Sequence, residues 1–163
     1  YQWAGPYLYS RQVVAVRSDS DIYTLQDLAG KVVAVQSTTK PEELFLNAEQ
    51  NGLPRLRRLY SLQNRDLIYT TLIKGYADAL ATHESAIRQF MKDYSVEYRI
   101  LDEPLMTARL GVAFSKNRSD DLPQQLTEVF QEMLADGTVR QIVSHYLDDP
   151  EHYLDGLEDS THA

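Results

Sequence analysis

The chain has 163 residues, 43% hydrophobic and 10% aromatic, enough to bury a core and to exclude wholesale disorder. Its formal net charge of −8 argues against a nucleic-acid partner, which needs a basic surface. There are no cysteines, which excludes disulfides and thiolate metal sites, and no apolar run approaches the roughly 18 residues of a membrane-spanning helix.

The opening "YQWAGPY" has no initiator Met, basic region or apolar leader, so a processed chain or a fragment of a longer polypeptide is expected. "WAGPY" reads equally as a tight turn with buried aromatics or as a ligand-facing edge. Gln12–Arg17 is a Val-rich buried strand bounded by Ser18 to Asp21. Thr24 caps a short helix, "LQDLA", that Gly30 ends. Lys31–Gln36 is the clearest strand. After Ser37, Thr38 and Thr39, Pro41 and two glutamates open a helix to about Asn51.

Leu56–Tyr60 is a weaker strand. Gln63–Lys74 predicts a helix with Leu67, Ile68, Thr71 and Leu72 on one face, stopped by Gly75. Asp78–Thr82 is a strand, Glu84–Asp93 a helix, Val96–Leu101 a strand, and Arg109–Asn117 a last extended segment. Leu122, Leu126, Val129, Phe130, Met133 and Leu134 then form an apolar helical stripe, and a second short helix follows the Asp136-Gly137 break. Asp148, Asp149, Glu151, Asp155, Glu158 and Asp159 read as a solvated acidic tail.

Strands alternating with helices imply parallel pairing through crossovers, hence a compact α/β domain over about residues 12 to 110. In such sheets ligands gather at the carboxyl ends of strands. Two strand ends carry polar clusters: Gln36 to Thr39, and Thr82-His83-Glu84. The first runs into a helix start, which serves either as a carboxylate or phosphate site or as simple capping. It has no glycine and so is not a P-loop. His83 serves either as a cap or as a site residue. With Glu84 it is the only acid–base candidate, and adjacency in sequence does not bring the two side chains face to face. No zinc-type histidine spacing and no G-x-S-x-G elbow occurs.

Several motifs together resemble the family 3 extracellular solute-binding proteins, of the type 2 periplasmic-binding fold. They are "WAGPY", "SDIYTLQDLAGKVVAVQSTT", "GYADALATHESA" and "LGVAFSKN…DLPQQLTEVFQEMLADGTVRQIVSHYL", spread over about residues 3 to 147. The resemblance implies an α/β fold: the second lobe of a two-lobed clamp, a mixed, mostly parallel sheet flanked by helices, plus C-terminal helices belonging to an otherwise missing first lobe. Residues 1–11 would end lobe one and enter the hinge, 12–108 form lobe two, 109–118 the return strand, 119–147 the lobe-one helices and 148–163 the acidic tail.

By the same resemblance, Gln36, Thr38, Thr39 and the Lys40 backbone hold a ligand carboxylate, with Thr38 where the family prefers Gly. Thr82 and His83 end the second motif, and His83 replaces the Asp that pairs with a ligand ammonium. The family's carboxylate-binding Arg would lie upstream of Tyr1. The implied function is the substrate-binding component of an importer for amino acids or related small polar solutes, partnered by a membrane ABC permease. No catalysis, cofactor, metal or nucleic acid is expected. The location implied is periplasmic or extracellular, with a lipoprotein anchor. An extracytoplasmic sensor domain and a cyclohexadienyl-dehydratase-like enzyme are the alternatives. With lobe one incomplete, the stripe helices are expected to pack on another copy, as a homo-oligomer or swapped arrangement, to fold onto lobe two, or to be disordered.

Overall fold

The computed structural model describes residues 1–157. Six strands and six α-helices occur among them: β1 Gln2–Arg17, β2 Val32–Gln36, α1 Lys40–Leu46, β3 Arg58–Leu62, α2 Arg65–Ile73, β4 Ala79–His83, α3 Glu84–Tyr94, β5 Tyr98–Ile100, β6 Met106–Phe114, α4 Leu122–Ala135, α5 Thr138–Ser144 and α6 Glu151–Leu154. The chain divides into two compact units. One is Arg11–Met106; the other joins Tyr1–Ser10 to the chain from Thr107 onward.

In the Arg11–Met106 unit the sheet order is β3-β2-β4-β1-β5. β2 pairs in parallel with β3 and β4, whereas β1 is antiparallel to both β4 and β5. β1 is therefore reversed among strands that otherwise run one way, and the mixed, mostly parallel sheet expected from the sequence is what forms. The expectation of parallel pairing throughout needs correcting at β1. A strand followed by a crossover helix fixes only its relation to the next strand, and β1 is inserted between β4 and β5.

Side chains alternate across the pleat. Val14, Val16, Val33, Val35, Ala79 and Ala81 face one core, with Ile22, Leu28 and Phe45. Val13, Ala15, Val32, Ala34 and Leu80 face the other, under Ile68, Tyr69 and Leu72 of α2 and Ile87 of α3. Both faces are covered, which explains why these strands read as unbroken apolar runs. Some boundaries move. The "LQDLA" helix is a 3-10 turn, Leu25–Leu28, in which Asp27 accepts from the N–H groups of Tyr23 and Thr24. The helix expected to reach Asn51 breaks at Asn47, between α1 and a 3-10 turn at Ala48–Asn51. On α2, Ile68 and Leu72 are buried as expected, but Tyr69 is buried with them and Leu67 is 52% exposed.

In the other unit β6 pairs with β1. "WAGPY" lies within β1 and is not a reversing turn. Its Gly5-Pro6 bond is cis, and Gly5 (φ +110°) lies against Gly111 of β6. A Cβ on Gly111 would stand 2.6 Å from the Ala4 carbonyl oxygen, so only glycine permits this approach. The α4 stripe is not orphaned. Phe130 packs on Tyr7 with ring centroids 5.2 Å apart, and the Gly5 N–H donates to Thr127 Oγ1 at 3.1 Å. Leu134 and Val139 are buried with Leu154 and Leu157, against Leu8 and Tyr9. Leu122 and Val129 remain exposed. Asp148, Asp149, Glu151 and Asp155 of the expected tail are exposed, but the segment is not solvated throughout. Tyr153, Leu154 and Leu157, interleaved with acids, are buried, while Glu158 and Asp159 lie outside the described residues.

Candidate functional site

The parallel register pairs Val35 of β2 with Ala81 of β4, so Gln36 and Thr82 follow as neighbours at one edge of the sheet. On the far side of β4, the reversed β1 sets Gln12 opposite His83. The two polar clusters singled out in the sequence are thus brought to one edge of one sheet.

At the first cluster the chain leaves β2, turns through Ser37 and Thr38, and enters α1 at Lys40. Thr38 has φ +59°, the left-handed region, at the position where the resemblance places glycine. Its N–H donates to Glu42 Oε2 at 2.6 Å, and its hydroxyl to the Ser37 carbonyl at 2.6 Å. The Thr39 hydroxyl donates to the Gln36 carbonyl at 2.5 Å, and Lys40 Nζ to Glu43 Oε1 at 2.7 Å. Glu42 also accepts from the Ser61 hydroxyl. These bonds, Ser61 first and the Thr38 N–H second, hold the Glu42 carboxyl below its usual range. The side-chain donors expected to meet a ligand carboxylate are therefore engaged within the turn. A groove beside α1 is lined by Thr38, Thr39, Lys40, Leu46 and Asn47, and neither Thr82 nor His83 lines it.

At the second cluster Thr82 is buried, His83 is exposed at the rim, and Glu84 turns inward at 2% exposure. Arg88 holds Glu84 Oε1 through Nε at 2.9 Å and Nη2 at 2.6 Å, and Arg11 Nε lies 3.5 Å from Oε2. Glu84 is thus bound to two guanidiniums. Partial desolvation of its ring against the neighbouring strands first, and the Arg65 cation second, push the His83 pKa down even though the residue as a whole is exposed. The Gln12 Nε2 lies 2.9 Å from His83 Nδ1 and 3.0 Å from its Nε2. A neutral imidazole has one acceptor nitrogen, so the amide can donate to it in either tautomer. Arg65, at the start of α2, donates from Nε to Gln36 Oε1 at 3.4 Å. Sequence reading missed both Gln12 and Arg65, which are separated from their partners by 71 and 29 positions. No local pattern marks them. Among the described residues no cluster of three or more metal-binding side chains occurs, and no helix is long and apolar enough to cross a membrane.

Known proteins bear on this arrangement. The histidine-binding periplasmic protein of Escherichia coli K12 is 35% identical over 147 residues, 85% of this chain and 54% of that protein. A putative amino-acid ABC transporter-binding protein, PatH of Vibrio harveyi, is 27% identical over 87% of this chain and 56% of its own length. The chain spans about half the length of these relatives. A crystal structure of the substrate-binding protein of an amino acid ABC transporter superposes with a TM-score of 0.66 at 26% identity, covering 90% of this chain and 63% of that one. A family profile described as "ABC transporter, phosphonate, periplasmic substrate-binding protein" matches residues 5–150. On that match the chain belongs to the periplasmic substrate-binding proteins of ABC transporters, in the phosphonate-binding family.

Proposed function

We propose that this chain is part of the substrate-binding component of an ABC importer for amino acids or related small polar solutes, of the family 3 type. The observation that supports the reading is the parallel register of β2 with β4, which ends both strands on the same side of the sheet, so that the turn from Gln36 to Lys40 and the Thr82-His83 step leave it at the carboxyl ends where α/β folds hold ligands. The names of the amino-acid-binding relatives support the solute class. In this reading Gln36, Thr38, Thr39, Lys40, Thr82 and His83 contact the solute, and affinity comes from hydrogen bonds without bond-making chemistry. The partner is a membrane ABC permease, and the location is the periplasm or the outer face of the membrane with a lipoprotein tether. The engagement of the Glu84 carboxylate by Arg11 and Arg88 weighs against the enzymatic alternative, in which that carboxylate would take or give a proton.

A melting-temperature screen of the twenty amino acids, simple amines and small dicarboxylates tests this. A ligand at a hundredfold excess over its Kd stabilises the folded state by about 2.7 kcal/mol. A clear rise with one chemical group of solutes supports the reading. A flat profile across the panel at millimolar concentrations overturns it.

A further inference from the structure

Arg65, at the start of α2, is a cation at the end of β2. Its Nε–H reaches Gln36 Oε1 at 3.4 Å, and Gln36 and Thr82 are neighbours at the ends of the parallel strands β2 and β4. It forms no ion pair among the described residues. The carboxylates of the two clusters are engaged elsewhere: Glu42 by the Thr38 N–H and Ser61, Glu43 by Lys40, and Glu84 by Arg11 and Arg88. Asp66, next to Arg65, is exposed, and its N–H donates to Asn64 Oδ1. Gln12 is 5% exposed and lies opposite His83 across the antiparallel pair, with its amide nitrogen against the ring. A solute group arriving between Gln36 and His83 therefore meets a guanidinium, a neutral imidazole held by an amide, and no carboxylate from either cluster that is not already bound.

We infer that Arg65 and Gln12 determine the specificity of this edge, selecting a solute that presents a carboxylate or other oxyanion here over one that presents an ammonium. Arg65 is the charged contact; Gln12 is a positioning residue that acts through His83. A guanidinium attracts an oxyanion and offers it paired donors, and it repels an ammonium. The inference rests on the solute-binding reading above.

Calorimetric titration of the full chain with glutarate and with 1,5-diaminopentane, compounds of equal carbon number and opposite charge, tests it. Glutarate is expected to bind at least tenfold more tightly than the diamine. Arg65→Gln is expected to weaken glutarate, or whichever amino acid binds in the screen, by at least tenfold, with Arg65→Lys restoring part of the loss. Gln12→Leu is expected to weaken the same probe and to shift the His83 imidazole NMR resonances, with Gln12→Asn recovering both in part. The melting temperatures of the ligand-free variants report folding. Binding of the diamine as tight as that of glutarate, or binding of any probe that Arg65→Gln leaves unchanged, overturns the inference while the solute-binding reading stands. Failure of glutarate, the diamine and every amino acid to bind the parent chain overturns both.

Discussion

Thr38 shows a backbone requirement and a side chain in conflict. The turn from β2 into α1 demands φ +59°, which a β-branched residue adopts at a penalty on the order of 1–2 kcal/mol. Its N–H bond to Glu42 and its hydroxyl bond to Ser37 hold it there. Thr38→Gly relieves the strain but frees the unfolded chain, which offsets roughly 0.5–1 kcal/mol of the gain. A net stabilisation of about 0.5 kcal/mol is expected in urea unfolding, and a loss larger than that would show that the Thr38 hydroxyl outweighs the strain. His83 gives a prediction of different sign. Its folded pKa lies below the unfolded value of about 6.5, because burial and Arg65 disfavour the cation. The unfolded chain therefore takes up more protons as pH falls. The contribution is complete above the unfolded pKa and is lost as pH drops through it toward the folded value. Between pH 7.5 and 5.5 the melting temperature of the parent chain should fall further than that of His83→Gln; parallel slopes would show that His83 is not the group responsible. The Glu42 contribution, from a lowered carboxyl pKa, is lost only at more acidic pH and does not overlap this window.

Among the elements, α6 is where composition misled most. Acidic residues crowd the chain around it, from Asp148 to Asp155, yet Tyr153 is buried, and Leu154 and, beyond the helix, Leu157 are buried with Leu134 and Val139. Leu154→Ala removes a large side chain that is 6% exposed and should destabilise the unit formed by Tyr1–Ser10 and the chain from Thr107 by about 2–3 kcal/mol. Amide hydrogen exchange in α4 and α5 is the measurement, and unchanged protection there would mean that α6 packs without contributing. The contrast with β2 and β4 shows what a sequence carries. Those strands are Val and Ala runs bounded by polar residues, a local signal, and they formed within one residue of the expected limits. The reversal of β1 was invisible because strand direction is settled by partners far along the chain. For the same reason the candidate edge was half legible. Gln36 to Lys40 and Thr82-His83 stand out as polar residues ending apolar strands. Gln12 looked like the first residue of a buried strand, and Arg65 like a surface residue opening a helix. Leu67 and Tyr69 exchanged roles because α2 has apolar residues around most of its circumference, so its sequence does not choose a single face.

At the level of the whole chain, the two units differ in how they are made. Arg11–Met106 is continuous in sequence, and its sheet is covered on both faces by apolar clusters contributed from within it. The other unit is assembled from two distant segments around a smaller cluster. A domain of about 100 residues with its own core is of a size that folds alone and unfolds in one step. Arg11–Met106, expressed by itself, should therefore unfold cooperatively in urea, with a slope of about 1–2 kcal/mol/M. The buried Glu84 carboxylate strengthens this expectation, since Arg11 and Arg88, which pair with it, fall inside the fragment and those two pairs are kept. Coincident circular-dichroism and tyrosine-fluorescence transitions would confirm one cooperative unit. Non-coincident transitions, or a broad melt without a baseline, would show that the sheet needs the remainder of β1 and β6 to hold its edge. The fragment retains Gln12, Gln36, Thr38, Thr39, Lys40, Arg65, Thr82 and His83. Its cooperative folding would place the whole candidate edge on a self-sufficient scaffold, where solute contacts can be changed one residue at a time against a measurable stability.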